Sequence, residues 1–306
     1  MATDNILRTY GDQSIKESVL GLVEYLTEKE MWFLNNLPKS KAIAATHSTL
    51  VDTYRAAGSQ AVEETGDSTA LALTTPTRIS NVVEHIAIPF KVGKFTQEVE
   101  RYTGENELVR ETTKAVIEWG RAAEYDILRS TLVSGASGVA PKMKGILEGI
   151  SKSTNVSAHA SGTEFSASIL RAIMKDNYVN SNGDIATDLF VGPYLRMKID
   201  EFTQKTNVVV YGVEANKIVQ GVSVFETSFG PLKIHTHRYL NIDGTDATGR
   251  VLGIRPEKFG IAYVREPKIN DLAAQGDYDF KEVRGDLTLE IKNQDSNFLH
   301  TGFFIG

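Results

Sequence analysis

His235 and His237 are the residues of this sequence whose type and spacing come closest to a metal site. Alternate residues of a β-strand point to one face, so both imidazoles would project from the same side of the strand predicted there and could share an ion. A third ligand at a recognisable spacing is missing, and Asp243 is the nearest carboxylate. The pair therefore favours a solvated strand or an interface over a metal site.

Nucleophile and phosphate motifs are equally weak. Ser137 lies in a GASG segment that misses the G-x-S-x-G elbow by one position and follows a predicted helix, whereas the elbow needs a preceding strand. The phosphate-binding patterns GxxxxGK[ST] and GxGxxG do not occur, and the chain has no cysteine. His47 and His85 are expected to be exposed, and His159 and His300 lack chemical neighbours in the sequence. We predict no catalytic, cofactor-binding or metal-binding residue, and hence a protein that is not an enzyme.

The bulk composition is that of a soluble globular protein. The 306 residues are 41% hydrophobic and 24% charged, with a formal net charge of −6, which suits one large or two modest domains. No basic block predicts tight nucleic-acid binding. Neither a signal peptide nor an apolar run of membrane-spanning length is predicted, so we expect no membrane partner.

Residues 46–55 and 78–92 are rich in β-branched residues and predict two strands of a long hairpin. The segment between them is small and polar, with Gly66-Asp67 near its middle as the expected turn. A lone two-stranded ribbon is marginally stable in water, so this one is expected to lie across another protein surface. The hairpin therefore predicts an assembling subunit.

The rest of the chain predicts an α+β protein. A mobile arm is expected first, then a helix over residues 14–37 that is capped by Ser14 and stopped by Pro38. A longer helix, about 45 Å at 1.5 Å per residue, is predicted from an N-cap at Thr103 to about residue 133. Its buried face is predicted to hold Val109, Val116, Gly120, Ala123 and Ile127, with Gly120 allowing close approach of another backbone.

A mixed block follows from residue 141. A capping box at residues 161–164 predicts a helix to about residue 177, and Asn182-Gly183 predicts a turn. A helix is predicted from Pro193. Strands are predicted at residues 189–191, 208–211, 222–225, 232–235, 259–265 and 286–292, the last with one solvated face.

This order of parts resembles the major capsid proteins of tailed bacteriophages, which have the HK97-like fold. Local stretches carry the resemblance too: FLNNLP at 33–38, GENELVRETTKAVIEWGRAAEYDILRS at 104–130, KMKGI at 142–146, GIRPEKFGIAYVREP at 253–267 and DLTLEIKN at 286–293. The resemblance implies an N-terminal arm (1–42), an extended hairpin or E-loop (43–93), a peripheral domain with a spine helix (94–140 plus 275–306) and an axial α+β domain (141–274).

The resemblance also implies a function. The chain would self-assemble into pentamers and hexamers of an icosahedral head shell around phage double-stranded DNA, made in the host cytoplasm and located in the virion. Its partners would be copies of itself, a scaffolding protein, a portal and a decoration protein, with DNA contacted weakly and without sequence preference. The alternatives are an encapsulin-type nanocompartment shell and a phage tail or adaptor component.

The hairpin supplies the expected contacts between subunits. Its apolar residues would be buried only on assembly, and its charged residues would form ion pairs that set register more than strength. These contact residues are Leu50, Arg55, Glu63, Glu64, Asp67, Arg78, Ile79 and Val83.

Two departures from the family pattern carry expectations. Residues 56–77 contain no lysine, so no lysine–asparagine crosslink is expected at the hairpin tip. The chain begins almost directly with the arm, which implies a separate scaffolding protein or a prior cleavage.

Overall fold

The computed structural model describes residues 31–55, 58–64, 66, 72–99, 106–151, 153–205, 224–242 and 247–305. Most of the predicted first helix, Asp67 and the predicted strand 208–211 lie outside these residues. The described helices are α1 (Trp32–Asn36), α2 (Lys94–Glu98), α3 (Glu107–Arg129), α4 (Ile146–Ile150), α5 (Ala167–Asn180) and α6 (Pro193–Lys205). The described strands are β1 (Lys39–Lys41), β2 (Thr46–Val51), β3 (Thr77–Val82), β4 (Glu84–Gly93), β5 (Val156–Thr163), β6 (Asp188–Val191), β7 (Val224–Thr227), β8 (Gly230–Thr236), β9 (Gly249–Ile254), β10 (Phe259–Leu272), β11 (Tyr278–Ile291) and β12 (Phe298–Phe303).

The strands form three sheets. One sheet has the order β1-β10-β11-β4, a second has the order β5-β12-β9-β6-β8-β7, and β2 and β3 form a two-stranded sheet with no further strand from the described residues. We call β2, β3 and the segment between them the ribbon. No helix in the described parts of the chain combines the length and apolar character needed to cross a bilayer.

Two hydrophobic cores share the six-stranded sheet. Phe190 and Leu252 face the core beneath α3, whereas Val191 and Val251 face the core beneath α5 and α6. Successive side chains of a strand point to opposite faces, so strands buried on both faces are apolar throughout. This explains why the short run in β6 is fully buried, as its sequence predicts.

Helix α3 is shorter than predicted. Its N-cap is Asn106, whose side chain accepts a hydrogen bond from Leu108 N, and Arg129 ends the helix. Its 23 residues span about 35 Å. Gly120, Ala123 and Ile127 are buried as predicted, but Val109 and Val116 are exposed; the buried positions in that half of the helix are Ala115 and Trp119.

The second predicted hairpin strand is two strands. Residues 77–82 pair with β2, whereas Glu84–Gly93 forms β4 and pairs antiparallel with β11 from Glu84 opposite Leu287 to Gly93 opposite Tyr278. The break falls at Val83, which is buried in the chain's own fold. The prediction of β-structure over residues 78–92 was therefore right, but the placement of the whole run in the hairpin was wrong.

Two further predictions need correction. Helix α5 begins after Ser166, whose hydroxyl accepts from Ile169 N, and residue 161 instead belongs to β5. Strand β11 has no solvated face at its end, since Asp286 and Thr288 are both buried. The ribbon lies against β11, and Asp286 finds partners in His85 and Arg265.

Candidate assembly interface

The base of the ribbon is fixed by one buried amide. Asn81 donates through Nδ2 to the carbonyls of Lys144 (3.0 Å) and Leu289 (2.8 Å). Its Oδ1 accepts from the backbone N–H of Lys144 (2.7 Å) and Val82 (2.9 Å). A buried amide with all these bonds made fixes its surroundings strongly, because leaving them unmade is costly. The base of the ribbon is therefore held against the segment before α4 and against β11.

Beyond its base the ribbon and its entry are uncovered. Ile43 is 90% exposed, Leu50 66% and Leu73 87%, and Tyr54 and Val62 are exposed as well. Single exposed apolar residues are ordinary, but here several lie on one thin element that has no core of its own, which makes the ribbon the candidate surface for contact with another copy.

The structure separates the predicted contact residues into three groups. Leu50, Arg55, Glu63, Glu64 and Arg78 are exposed on the ribbon, with Leu50 directly opposite Arg78. Ile79 is half-buried against the core beneath α3. Val83 is 3% exposed, so the expectation that it becomes buried only on assembly is wrong. Asp67 lies outside the described residues.

Glu124 joins three parts of the chain. Its carboxylate accepts from the backbone N–H groups of Phe33 and Leu34, both at 2.9 Å, and lies 3.0 Å from His237 Nε2. A carboxylate at the start of α1 satisfies N–H groups that the helix leaves without partners. This fully buried residue was not among the predicted site residues; a glutamate among Gly120, Ala123 and Ile127 on the apolar face of a helix was the available signal.

His235 and His237 do share a side of the chain, as their spacing predicts, because both rings contact Phe190. They bind different carboxylates: His235 Nε2 lies 2.9 Å from Asp188 Oδ1, and His237 pairs with Glu124. His237 is buried, which corrects the expectation of a solvated pair.

The remaining histidines have neighbours that sequence spacing did not reveal. His159 Nε2 lies 3.1 Å from His300 Nδ1 across adjacent strands. Burial is the main cause, and the charge of His159 the second, that lowers the pKa of His300 to about 4. His47 Nε2 lies 2.7 Å from Glu290 Oε1. His85 belongs to β4, where its Nδ1 lies 2.8 Å from Asp286 Oδ1.

A carboxylate pair lies beside the ribbon base. Glu84 accepts from Met143 N at 3.1 Å, and burial, reinforced by Asp126, raises its pKa to about 7. Burial also raises the pKa of Asp126, against the opposing charge of Lys142. Strongly shifted carboxyls can mark catalysis, but these have structural partners.

The nucleophile and metal-ligand candidates of the sequence do not form a site among the described residues. Ser137 lies in an exposed turn between the bridged residues Ala136 and Val139, eight positions after α3 ends. Among the described residues, no three carboxylate or imidazole side chains are grouped so that they could hold a metal ion.

A family model described as SU10 major capsid protein matches residues 3–303 of the chain. A comparison with curated protein sequences gave no match.

Solved structures share the architecture over nearly the whole length. The SrpI encapsulin complex of Synechococcus elongatus PCC 7942 matches with a TM-score of 0.64 and 7% identity, covering 98% of this chain and 97% of that one. The capsid of a native GTA particle gives 0.64 and 11%, covering 97% of each chain. The capsid of cyanophage P-SCSP1u gives 0.60 and 11%, covering 98% and 96%. At these identities the matches concern the fold, and they confirm the predicted HK97-like α+β architecture.

Proposed function

We propose, because this chain belongs to the SU10 major capsid protein family, that its copies assemble through the ribbon into the pentamers and hexamers of an icosahedral phage head. Family membership makes the chain a structural protein of the virion shell. Many copies of the chain build that shell. We further propose that the rings contain five and six copies and that the chain catalyses no reaction.

The observation that carries the proposal is the uncovered ribbon. Its base is fixed by Asn81, and its apolar side chains, Leu50 and Leu73 among them, extend into solvent. Burying a leucine contributes about 1.5–3 kcal/mol, and a sister copy supplies the surface that the chain itself lacks. A contact between two different patches of identical chains closes into rings when the rotation fits.

In the proposed division of labour the arm comprises residues 1–42, the E-loop segment 43–93, the peripheral domain 94–140 plus 275–306, and the axial domain 141–274. Within the E-loop segment, residues 84–93 form β4 and pair with β11, so the extended hairpin itself ends at residue 82. Synthesis in the host cytoplasm, packaged double-stranded DNA held by weak contacts, and scaffolding, portal and decoration partners complete the proposal. The net charge of −6 agrees with a shell that holds DNA loosely.

Electron microscopy of the purified chain tests the proposal. Closed polyhedral particles with rings of five and six support it, and a monodisperse monomer at high concentration overturns it. The SrpI encapsulin has the same fold, so a second measurement is needed. Nuclease-protected DNA in particles from phage-producing cells supports a phage head, whereas protein cargo in place of DNA supports a nanocompartment.

A further inference from the structure

A cavity of about 420 Å³ opens where β1 ends beside β10. Four basic side chains line it, Lys41, Arg265, Lys268 and Arg284, and Glu266 is the acidic one. Arg265 is bonded to Asp286. Among the described residues, neither Lys41 nor Lys268 forms an ion pair. The cavity therefore has an excess of positive charge.

The strand register makes this excess costly. Lys268 lies directly opposite Arg284 in the β10–β11 pairing, and like charges in that position repel. The Arg284 Nε atom is buried without a hydrogen-bond partner, and the nearest carboxylate, that of Glu282, is 3.8 Å from Nη1. An anionic group entering the cavity would relieve both defects.

The sheet edge beside the cavity is open. Strand β1 covers β10 only from Ile261 to Tyr263, and β10 runs on to Leu272 without a described neighbour on that side. Proteins usually cover an open edge or pair it with another chain. An extended segment is therefore the shape of ligand that this place fits.

The tip of the ribbon, residues 56–77, carries the complementary charge. Residues 56–77 contain Glu63, Glu64 and Asp67 and no lysine or arginine. Glu63 and Glu64 are exposed at the far end of the ribbon. We propose that this acidic tip of one copy docks in the cationic cavity of the next, with Glu63 and Glu64 facing Lys41, Lys268 and Arg284. This inference rests on the proposed shell function and names the contact that joins the copies.

Charge exchange tests the docking. We expect K41E/K268E and E63K/E64K each to raise the subunit concentration for half-assembly about tenfold or more, because like charges then meet. The combined variant should recover assembly. The control R171E/K175E makes the same charge change as K41E/K268E on exposed positions of α5, and E63K/E64K should not improve it. If the combination assembles no better than the single-side variants, the docking is wrong.

A crosslink gives a second readout that does not depend on charge. The chain has no cysteine, so the engineered pair E63C/K268C would carry its only thiols. Mild oxidation of particles should give disulfide-linked multimers, whereas the matched pair E63C/K175C should stay monomeric in denaturing gels. The proposal would be overturned if disulfides formed solely within single chains, or if both cysteine pairs crosslinked equally.

Two outcomes separate this inference from the proposed function. If wild-type protein forms shells and K41E/K268E assembles as readily, the docking fails and the shell function stands. If wild-type protein forms no shells, the function itself fails. Binding of a short DNA duplex that K41E/K268E abolishes, with assembly unchanged, would assign the cavity to nucleic acid and overturn the docking.

Discussion

Two buried titratable side chains, His300 and Glu84, change the stability of the fold in opposite directions as the pH falls. His300 has a pKa lowered to about 4, so its contribution to stability is complete above pH 6.5 and is lost as the pH falls toward 4. Glu84 has a pKa raised to about 7, so its contribution is complete below pH 4.5 and is lost as the pH rises through 7. Each shift corresponds to at most about 3 kcal/mol. Between pH 4.5 and 6.5 the two contributions oppose each other.

Single substitutions should expose the two opposed contributions. Of these two contributions, only that of His300 remains in E84Q, so we expect the free energy of unfolding to fall by up to about 3 kcal/mol between pH 7 and pH 4.5, relative to wild type. In H300Q the contribution of Glu84 is the one that remains, so the free energy of unfolding should rise over the same interval, relative to wild type. Urea unfolding of unassembled subunits at several pH values measures both. Parallel profiles for the three proteins would contradict the assignment.

Sequence reasoning works least well at this scale. His159 and His300 are far apart in the chain and meet only because β5 pairs with β12. Val83 appears in sequence as one more β-branched residue of a strand, yet it is buried where the chain passes from the ribbon to the sheet. Neither burial nor a partner in another element leaves a mark in local spacing.

At the scale of elements, the chain is held together by side chains that cap or cross-link segments distant in sequence. Glu124 of α3 caps α1 and pairs with His237 just beyond β8. Met31 and Leu34 approach Gly120 closely enough that a Cβ at this position would collide with the Met31 side chain. The short helix α1 is therefore fixed by α3, since five residues form no stable helix alone.

Removing the Glu124 carboxylate should release α1. We expect E124A to lower the free energy of unfolding by about 3 kcal/mol or more, because the N–H groups of Phe33 and Leu34 are left without acceptors. The amide hydrogens of residues 33–37 should exchange faster with solvent. E118A, a change of the same type on the outer side of α3, should stay within about 0.5 kcal/mol of wild type. Unchanged exchange at residues 33–37 in E124A would show that α1 is held by other contacts.

Periodicity predicted the elements better than their limits. The alternating and helical patterns gave α3, α5, α6 and the strands near residues 189, 232 and 259. The errors fall where a second candidate cap was available, as with Ser166 in place of the capping box at 161–164. They also fall where one β-rich run serves two sheets, as at β3 and β4.

At the scale of the whole molecule, the described residues divide into a body with two hydrophobic cores and a ribbon whose outer part they leave uncovered. The order of parts in the sequence predicted an HK97-like fold with an extended hairpin, and the matches to solved structures confirm the HK97-like architecture. Buried residues such as Val83 act within one copy, whereas exposed residues such as Leu50 and Leu73 are available only to another. Stability and assembly should therefore be separable by mutation.

We expect L50S/L73S to leave the unfolding free energy of the isolated subunit within about 0.5 kcal/mol of wild type, because both side chains are already exposed. The same variant should raise the subunit concentration for half-assembly about tenfold or more, since each leucine loses its burial against the neighbour.

V83A should do the reverse: it should destabilise the subunit by about 1–2 kcal/mol through lost burial, with assembly of the folded fraction unchanged. Urea unfolding and sedimentation velocity on both variants measure the two effects. If L50S/L73S destabilises the isolated subunit, or assembles at the wild-type concentration, the ribbon is covered by its own chain and the division between body and ribbon is wrong.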